Sequence, residues 1–96
     1  MARILNENGI PARVGQSASF GTVPDVVGVS GVHCEVKRNE RLNVTDAMNQ
    51  AIRDSVKFKD GLPAVFHRRN RSKWLVTMTL VDWLILYKQA KEEDGK

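Results

Sequence analysis

The sequence predicts an α/β domain: a central mixed β-sheet flanked by helices, in the order αβββαββα. Three observations predict it. Residues 32–37 alternate apolar and polar with the period of a strand. Asn43 opens a helical pattern that runs to Asp60-Gly61. Two further strand-like runs, 62–67 and 73–78, then precede a last, strongly apolar helix.

Taken in order, residues 2–8 read as the end of a first helix, with Gly9 as its C-terminal stop. Pro11 to Gly15 reads as a first strand. Residues 16–22, rich in Ser and Gly, read as a loop in which Ser17, Ser19 and Thr22 lie within reach of a bound phosphate. Asp25 to Val29 is a second strand and Val32 to Arg38 a third, joined through Ser30-Gly31. Asn43 caps the next helix, with Asp46 three residues on as its capping-box-like partner. The apolar face of that helix is Val44, Met48, Ala51, Ile52 and Ser55. Leu62 to His67 and Lys73 to Met78 complete the strands, and Thr79 opens a final helix to about Ala90 before a charged tail, 91–96.

Composition bounds the function. Ninety-six residues make one domain with a single small core, and the sequence shows no repeat or low-complexity segment. Hydrophobic residues are 42% of the chain with no apolar run of 18, which predicts a protein without a membrane span. Met1-Ala2-Arg3 leads into a helical pattern, so no signal peptide is expected. A single cysteine excludes an intramolecular disulfide and suits a reducing cytoplasm. Cys34 falls on the apolar face of its strand, where it reads as a small buried hydrophobe; His33-Cys34 lacks the second pair that a zinc site needs. The net charge is +4 and the pI about 9.6, which favours an anionic partner.

The chemistry centres on Pro24-Asp25 and Glu35-Val36-Lys37. Strand alternation places Glu35 and Lys37 on one face and Val32, Cys34 and Val36 on the other. Two carboxylates and an amine on neighbouring strands can hold a divalent metal against a phosphodiester. The turn decides whether they meet. A two-residue turn at Ser30-Gly31 sets Asp25 opposite Val36, on the wrong face. A three-residue turn with Gly31 left-handed sets Asp25 opposite Glu35. Without Asp25, Glu35 and Lys37 are a solvent-facing pair contributing about 0–1 kcal/mol.

The Asp…Glu-x-Lys arrangement resembles the PD-(D/E)XK nuclease superfamily. The run from Glu35 to Asn43 into a helix carrying Gln50, and the run from Val65 to Val76, sharpen the likeness to the small phage-type VRR-NUC and Holliday-junction-resolvase-like nucleases. The resemblance covers roughly residues 9 to 87. It implies a restriction-endonuclease-like core and a Mg²⁺- or Mn²⁺-dependent endonuclease acting on branched DNA such as four-way junctions, in the cytoplasm of a bacterial host if phage-encoded. Asp25 and Glu35 would be metal ligands, with the backbone carbonyl of Val36 a third. Lys37 would orient or deprotonate the attacking water, or stabilise negative charge in the transition state. Gln50 matches a glutamine that helps to place the water or the phosphate; a solvated glutamine is the alternative. Related resolvases carry an acidic residue on a longer first helix, and no residue here answers to it, since Glu7 falls beside the helix stop.

Basic residues surround this site. Arg38 and Arg41 follow it, and Arg68, Arg69, Arg71 and Lys73 cluster in one loop suited to phosphate contact. His67 reads as structural or as a DNA contact. The last helix is apolar nearly all round, from Leu80 through Trp83 and Leu86 to Tyr87. A monomer of this size has one core face to offer it, so a homodimer is expected to cover the rest.

Overall fold

In the computed structural model, which describes residues 1–15 and 25–94, five strands form one sheet in chain order. The elements are α1 (Ala2–Glu7), β1 (Arg13–Val14), β2 (Val26–Val27), β3 (Val32–Lys37), α2 (Val44–Phe58), β4 (Leu62–His67), β5 (Leu75–Met78) and α3 (Leu80–Asp94). β1–β2, β2–β3 and β4–β5 pair antiparallel, whereas β3 and β4, joined through α2, pair parallel. The expected order and mixed sheet are therefore present. The loop with Ser17, Ser19 and Thr22, together with Pro24, lies outside the described residues.

Boundaries differ where side chains or glycines intervene. β2 stops at Val27 instead of Val29 because Gly28 turns to φ +90, with its α-carbon against the Pro11 carbonyl. β5 starts at Leu75 instead of Lys73; the preceding Trp74 places its ring under the Arg68 guanidinium, 5.1 Å away. α3 continues through Asp94, so most of the expected tail is helical. Its N-terminus is capped by Thr79 Oγ1, which accepts the Asp82 amide at 3.3 Å. Asn43 caps α2 as expected, its Oδ1 accepting the Asp46 amide at 3.0 Å. α2 closes on a left-handed Lys59, whose amide donates to Ser55 O at 2.8 Å.

The two faces of β3 have different cores. Cys34, with Val26 beside it, packs with Ala2 of α1 and with Ala12. The opposite face, with Glu35 and its parallel neighbour Val65, lies under Ala47 and Ala51 of α2. Of the expected apolar face of α2, Ala51 and Ser55 turn inward and Met48 packs on the inner core, while Val44 and Ile52 do not. Ala47, Ala51 and Ser55 are buried, while Val44 and Ile52 are exposed. The sheet beneath carries His33, Glu35 and Val65, so only alanine and serine allow the helix to sit close to it. α3 enters neither core cluster. Among the described residues, no helix is long and apolar enough to cross a membrane.

β3 and β4 start together where Gly61 meets Gly31. The Leu62 amide donates to Gly31 O at 2.9 Å, and a Cβ on Gly61 would stand 2.3 Å from Gly31 C. Gly61 also holds φ +126. Gly61→Ala is expected to destabilise the protein by about 1–3 kcal/mol or more, because strain and clash act together. Urea unfolding checks this; an unchanged midpoint would mean that the two strands do not meet so closely.

Candidate functional site

Residues 28–31 join β2 to β3, with the Val32 amide donating to Val29 O at 3.3 Å across Ser30-Gly31 and Gly28 at φ +90 before it. Val26 pairs with Cys34, and Gly31 is left-handed at φ +83. Carrying that register one residue on sets Asp25 opposite Glu35, on the same face as Lys37. Of the two registers the sequence allowed, the one that brings Asp25 to Glu35 is present, with Asp25 just ahead of β2 and the connection itself not the expected three-residue turn. Glycine at the left-handed position makes this register accessible.

Glu35 is buried, its side chain 6% exposed, and its two oxygens face different partners. Oε1 lies 3.4 Å from Lys37 Nζ, and Oε2 lies 3.5 Å from His33 Nε2. Burial works to raise the Glu35 pKa, but His33 and Lys37 outweigh it and hold the carboxyl below its ordinary range. Asp25 moves the other way. The residue is exposed, yet its carboxyl is partly desolvated and faces the Glu35 charge, which together push its pKa up. Lys37 and a hydrogen bond from the Val36 amide oppose that rise. The two carboxylates therefore repel each other across the paired strands.

Val36 is oriented as the third donor requires. The carbonyls of Gly31 and Lys37 accept amides from β4 and the residue after it, so the odd-numbered backbone groups of β3 point to β4. The groups of Val36 point to the other edge, where Asp25 lies. Gln50 is half-buried on α2, one turn before Asp54 and on the same stripe. Glu7 is exposed on α1, paired with Arg3 at 3.6 Å, and α1 covers the opposite face of the sheet. It takes no part.

The basic loop adjoins the lysine. Lys37 pairs with His67, and Lys37 O accepts the Arg68 amide at 3.3 Å. Arg69, Arg71 and Lys73 are exposed, as are Arg38 and Arg41. Arg68 is half-buried against Trp74, and its Nε is buried without a partner. His67 is structural, its Nε2 bonded to Thr77 Oγ1 at 2.8 Å. A cleft of about 370 Å³ opens here, lined by Arg68, Arg69 and Lys73 over Leu42 and Leu75.

Sequence reasoning missed His33, Asp54 and Asp60. His33 is 1% exposed, with Asp60 Oδ2 at 2.7 Å from Nδ1 and Phe58 stacked on its ring. Its position two residues before Glu35 was the available signal, because the same alternation that pairs Glu35 with Lys37 includes it. Asp60 had been read only as the helix stop.

Comparison of the chain with protein-family models, with curated proteins and with solved structures finds no match in any of the three.

Cys34 sits behind the site, fully buried, with its thiol pKa pushed up to about 11 by desolvation. The thiol is expected to stay silent toward an aromatic disulfide reagent at neutral pH and to react fully once urea unfolds the chain. Fast reaction of the native protein would mean that the β2–β3 edge opens readily.

Proposed function

We propose that the protein is a Mg²⁺- or Mn²⁺-dependent endodeoxyribonuclease of the PD-(D/E)XK type, acting in the cytoplasm on branched DNA such as four-way junctions. The observation that carries this reading is the pairing of Val26 with Cys34, a register that continued by one residue sets Asp25 opposite Glu35, with Lys37 beside Glu35. Asp25, Glu35 and the Val36 carbonyl would hold the ion, an oxygen-only donor set suited to a hard cation. When bound, that ion polarises the scissile phosphate and activates a water.

The chain's own groups do the rest. Lys37 lies 3.4 Å from Glu35, so its ammonium is held at the site and available to the water or to charge developing on the phosphate. Gln50, half-buried on α2, would orient the water or a phosphate oxygen. The exposed Arg38, Arg41, Arg69, Arg71 and Lys73 would grip the backbone on either side, with Arg68 fixed at the base of the loop by Trp74.

A labelled four-way junction and a matched duplex, incubated with Mg²⁺, Mn²⁺ or EDTA, test the reading. Cutting is expected only with metal. Asp25→Asn and Glu35→Gln are expected to abolish it while sparing binding, and Lys37→Ala to slow it on the order of 100-fold. Joint replacement of Arg69 and Arg71 by Ala is expected to weaken binding at every sequence and flatten its salt dependence. DNA bound but uncut under every metal would make the chain a binding module on this fold.

We also propose a homodimer. Leu80, Val81, Trp83, Leu84, Ile85 and Tyr87 are all exposed on α3, and Leu75 and Val76 are exposed on the adjoining edge strand β5. So large an apolar surface is rarely left to water. A second copy would cover it and supply the second active site that paired cutting of a junction needs. Trp83→Glu or Ile85→Glu is expected to yield folded monomer in a sedimentation experiment. Wild-type protein that sediments only as monomer at micromolar concentration would refute the dimer.

A further inference from the structure

A second cluster of ligand-type groups lies about Glu35 Oε2, the oxygen that faces His33 and not Lys37. Ligand atoms of His33, Glu35 and Asp54 all fall within 4.8 Å of one another. His33 and Glu35 are buried neighbours on β3, and Asp54 is half-buried on α2 above them. Asp60 holds the remote nitrogen of the ring, its two oxygens 2.9 and 2.7 Å from Nδ1. With Nδ1 donating to Asp60, a dication would take the Nε2 lone pair in place of the proton that the ring carries when charged. That Nε2 is buried and has no hydrogen-bond partner. Buried nitrogens without partners are rare and ask for an explanation.

Distances point to the explanation. Nε2 and Glu35 Oε2 are 3.5 Å apart. Good N–H···O bonds span about 2.7–3.2 Å, so the pair is too wide for one. Nitrogen and oxygen ligands about 2.0–2.2 Å from one tetrahedral ion stand roughly 3.3–3.6 Å apart, so the pair has the width that an ion between them sets. A carboxylate on the remote ring nitrogen is the usual means of fixing a metal-binding histidine. Charge agrees: two carboxylates and a neutral imidazole around a dication sum to zero, which suits a buried site.

We propose that His33 Nε2, Glu35 and Asp54 form a binding site for a transition-metal dication, with Asp60 orienting the histidine. Imidazole with two carboxylates favours Zn²⁺, Co²⁺ or Mn²⁺ over Mg²⁺, which takes oxygen ligands. The site is separate from the proposed nuclease centre and shares only Glu35 with it. The ion would tie α2 to β3 and hold the Glu35 carboxylate in one orientation, with Oε1 left toward Lys37. The residues act here through positioning.

The test uses full-length protein stripped of metal with a chelator. Asp25→Asn removes the nuclease centre, so this variant isolates the inner site. Titrating it with Co²⁺ is expected to give one equivalent of visible d–d absorption, and Zn²⁺ is expected to raise its thermal midpoint. Adding Asp54→Asn is expected to abolish both effects, and adding Asp60→Asn to weaken binding about 10–100-fold. His33→Asn should also abolish them, and Asp54→Asn covers the case in which the buried change unfolds the chain. Absence of Co²⁺ binding by folded Asp25→Asn protein, with the unsubstituted protein cutting DNA, would overturn the inner site alone. Co²⁺ bound as tightly after Asp54→Asn would overturn it too. Co²⁺ bound by the Asp25→Asn protein, with the unsubstituted protein failing to cut DNA under any metal, would leave the inner site standing and remove the nuclease reading.

Discussion

The sheet takes its register at one place, the contact of two glycine backbones at Gly31 and Gly61. Gly31 is left-handed in the turn that leads into β3, and this sets β2 against β3. Its carbonyl accepts the first amide of β4, and Gly61 approaches too closely for any side chain to stand between them. The antiparallel pair and the parallel pair are thereby aligned from the same residue. Strand pairing has a side-chain period of two, so a slip of one residue on either side would carry Asp25 or Val65 to the wrong face. The position of every polar group at the site follows from that junction.

The two faces of β3 then take different tasks. The Cys34 face packs against α1 in an ordinary apolar cluster. The Glu35 face is polar along its length, with His33, Glu35 and Lys37 in a row. Burying such a row is costly unless each charge has a partner. Asp60, His33, Glu35 and Lys37 alternate in sign when the histidine is charged, and burial alone would oppose the raised pKa that His33 shows. Its two carboxylate neighbours outweigh that burial. α2 completes the arrangement with alanine and serine, which bring the helix close while adding little apolar bulk.

That economy leaves the interior small. The buried apolar residues are mostly alanine, whereas most of the large hydrophobic side chains of α3 stand exposed. α3 gains its helical form from its own sequence and its Thr79 cap, not from packing on the sheet. Trp83 and Tyr87 stack on each other, 5.2 Å between ring centroids, which partly shields both. A helix of this kind is stable as an isolated element only marginally in water.

The bounds of β4 and the cap of α2 were legible in sequence because each depends on neighbours along the chain: alternation for a strand, Asn43 against Asp46 for a cap. The shared face of Glu35 and Lys37 was legible for the same reason. Whether Asp25 joins them was reduced by sequence to a choice between two registers across Ser30-Gly31; the pairing of Val26 with Cys34 made the choice. The apolar face of α2 was legible at Met48, Ala51 and Ser55 but not at Val44 and Ile52, because periodicity marks the bulkiest stripe while the close polar sheet favours the small one centred on Ala47 and Ala51. His33, Asp54 and Asp60 lie on a strand, a helix and the turn after it, and nothing local joins them. Only the parallel crossover, which folds α2 back over β3, brings their side chains within a few ångströms.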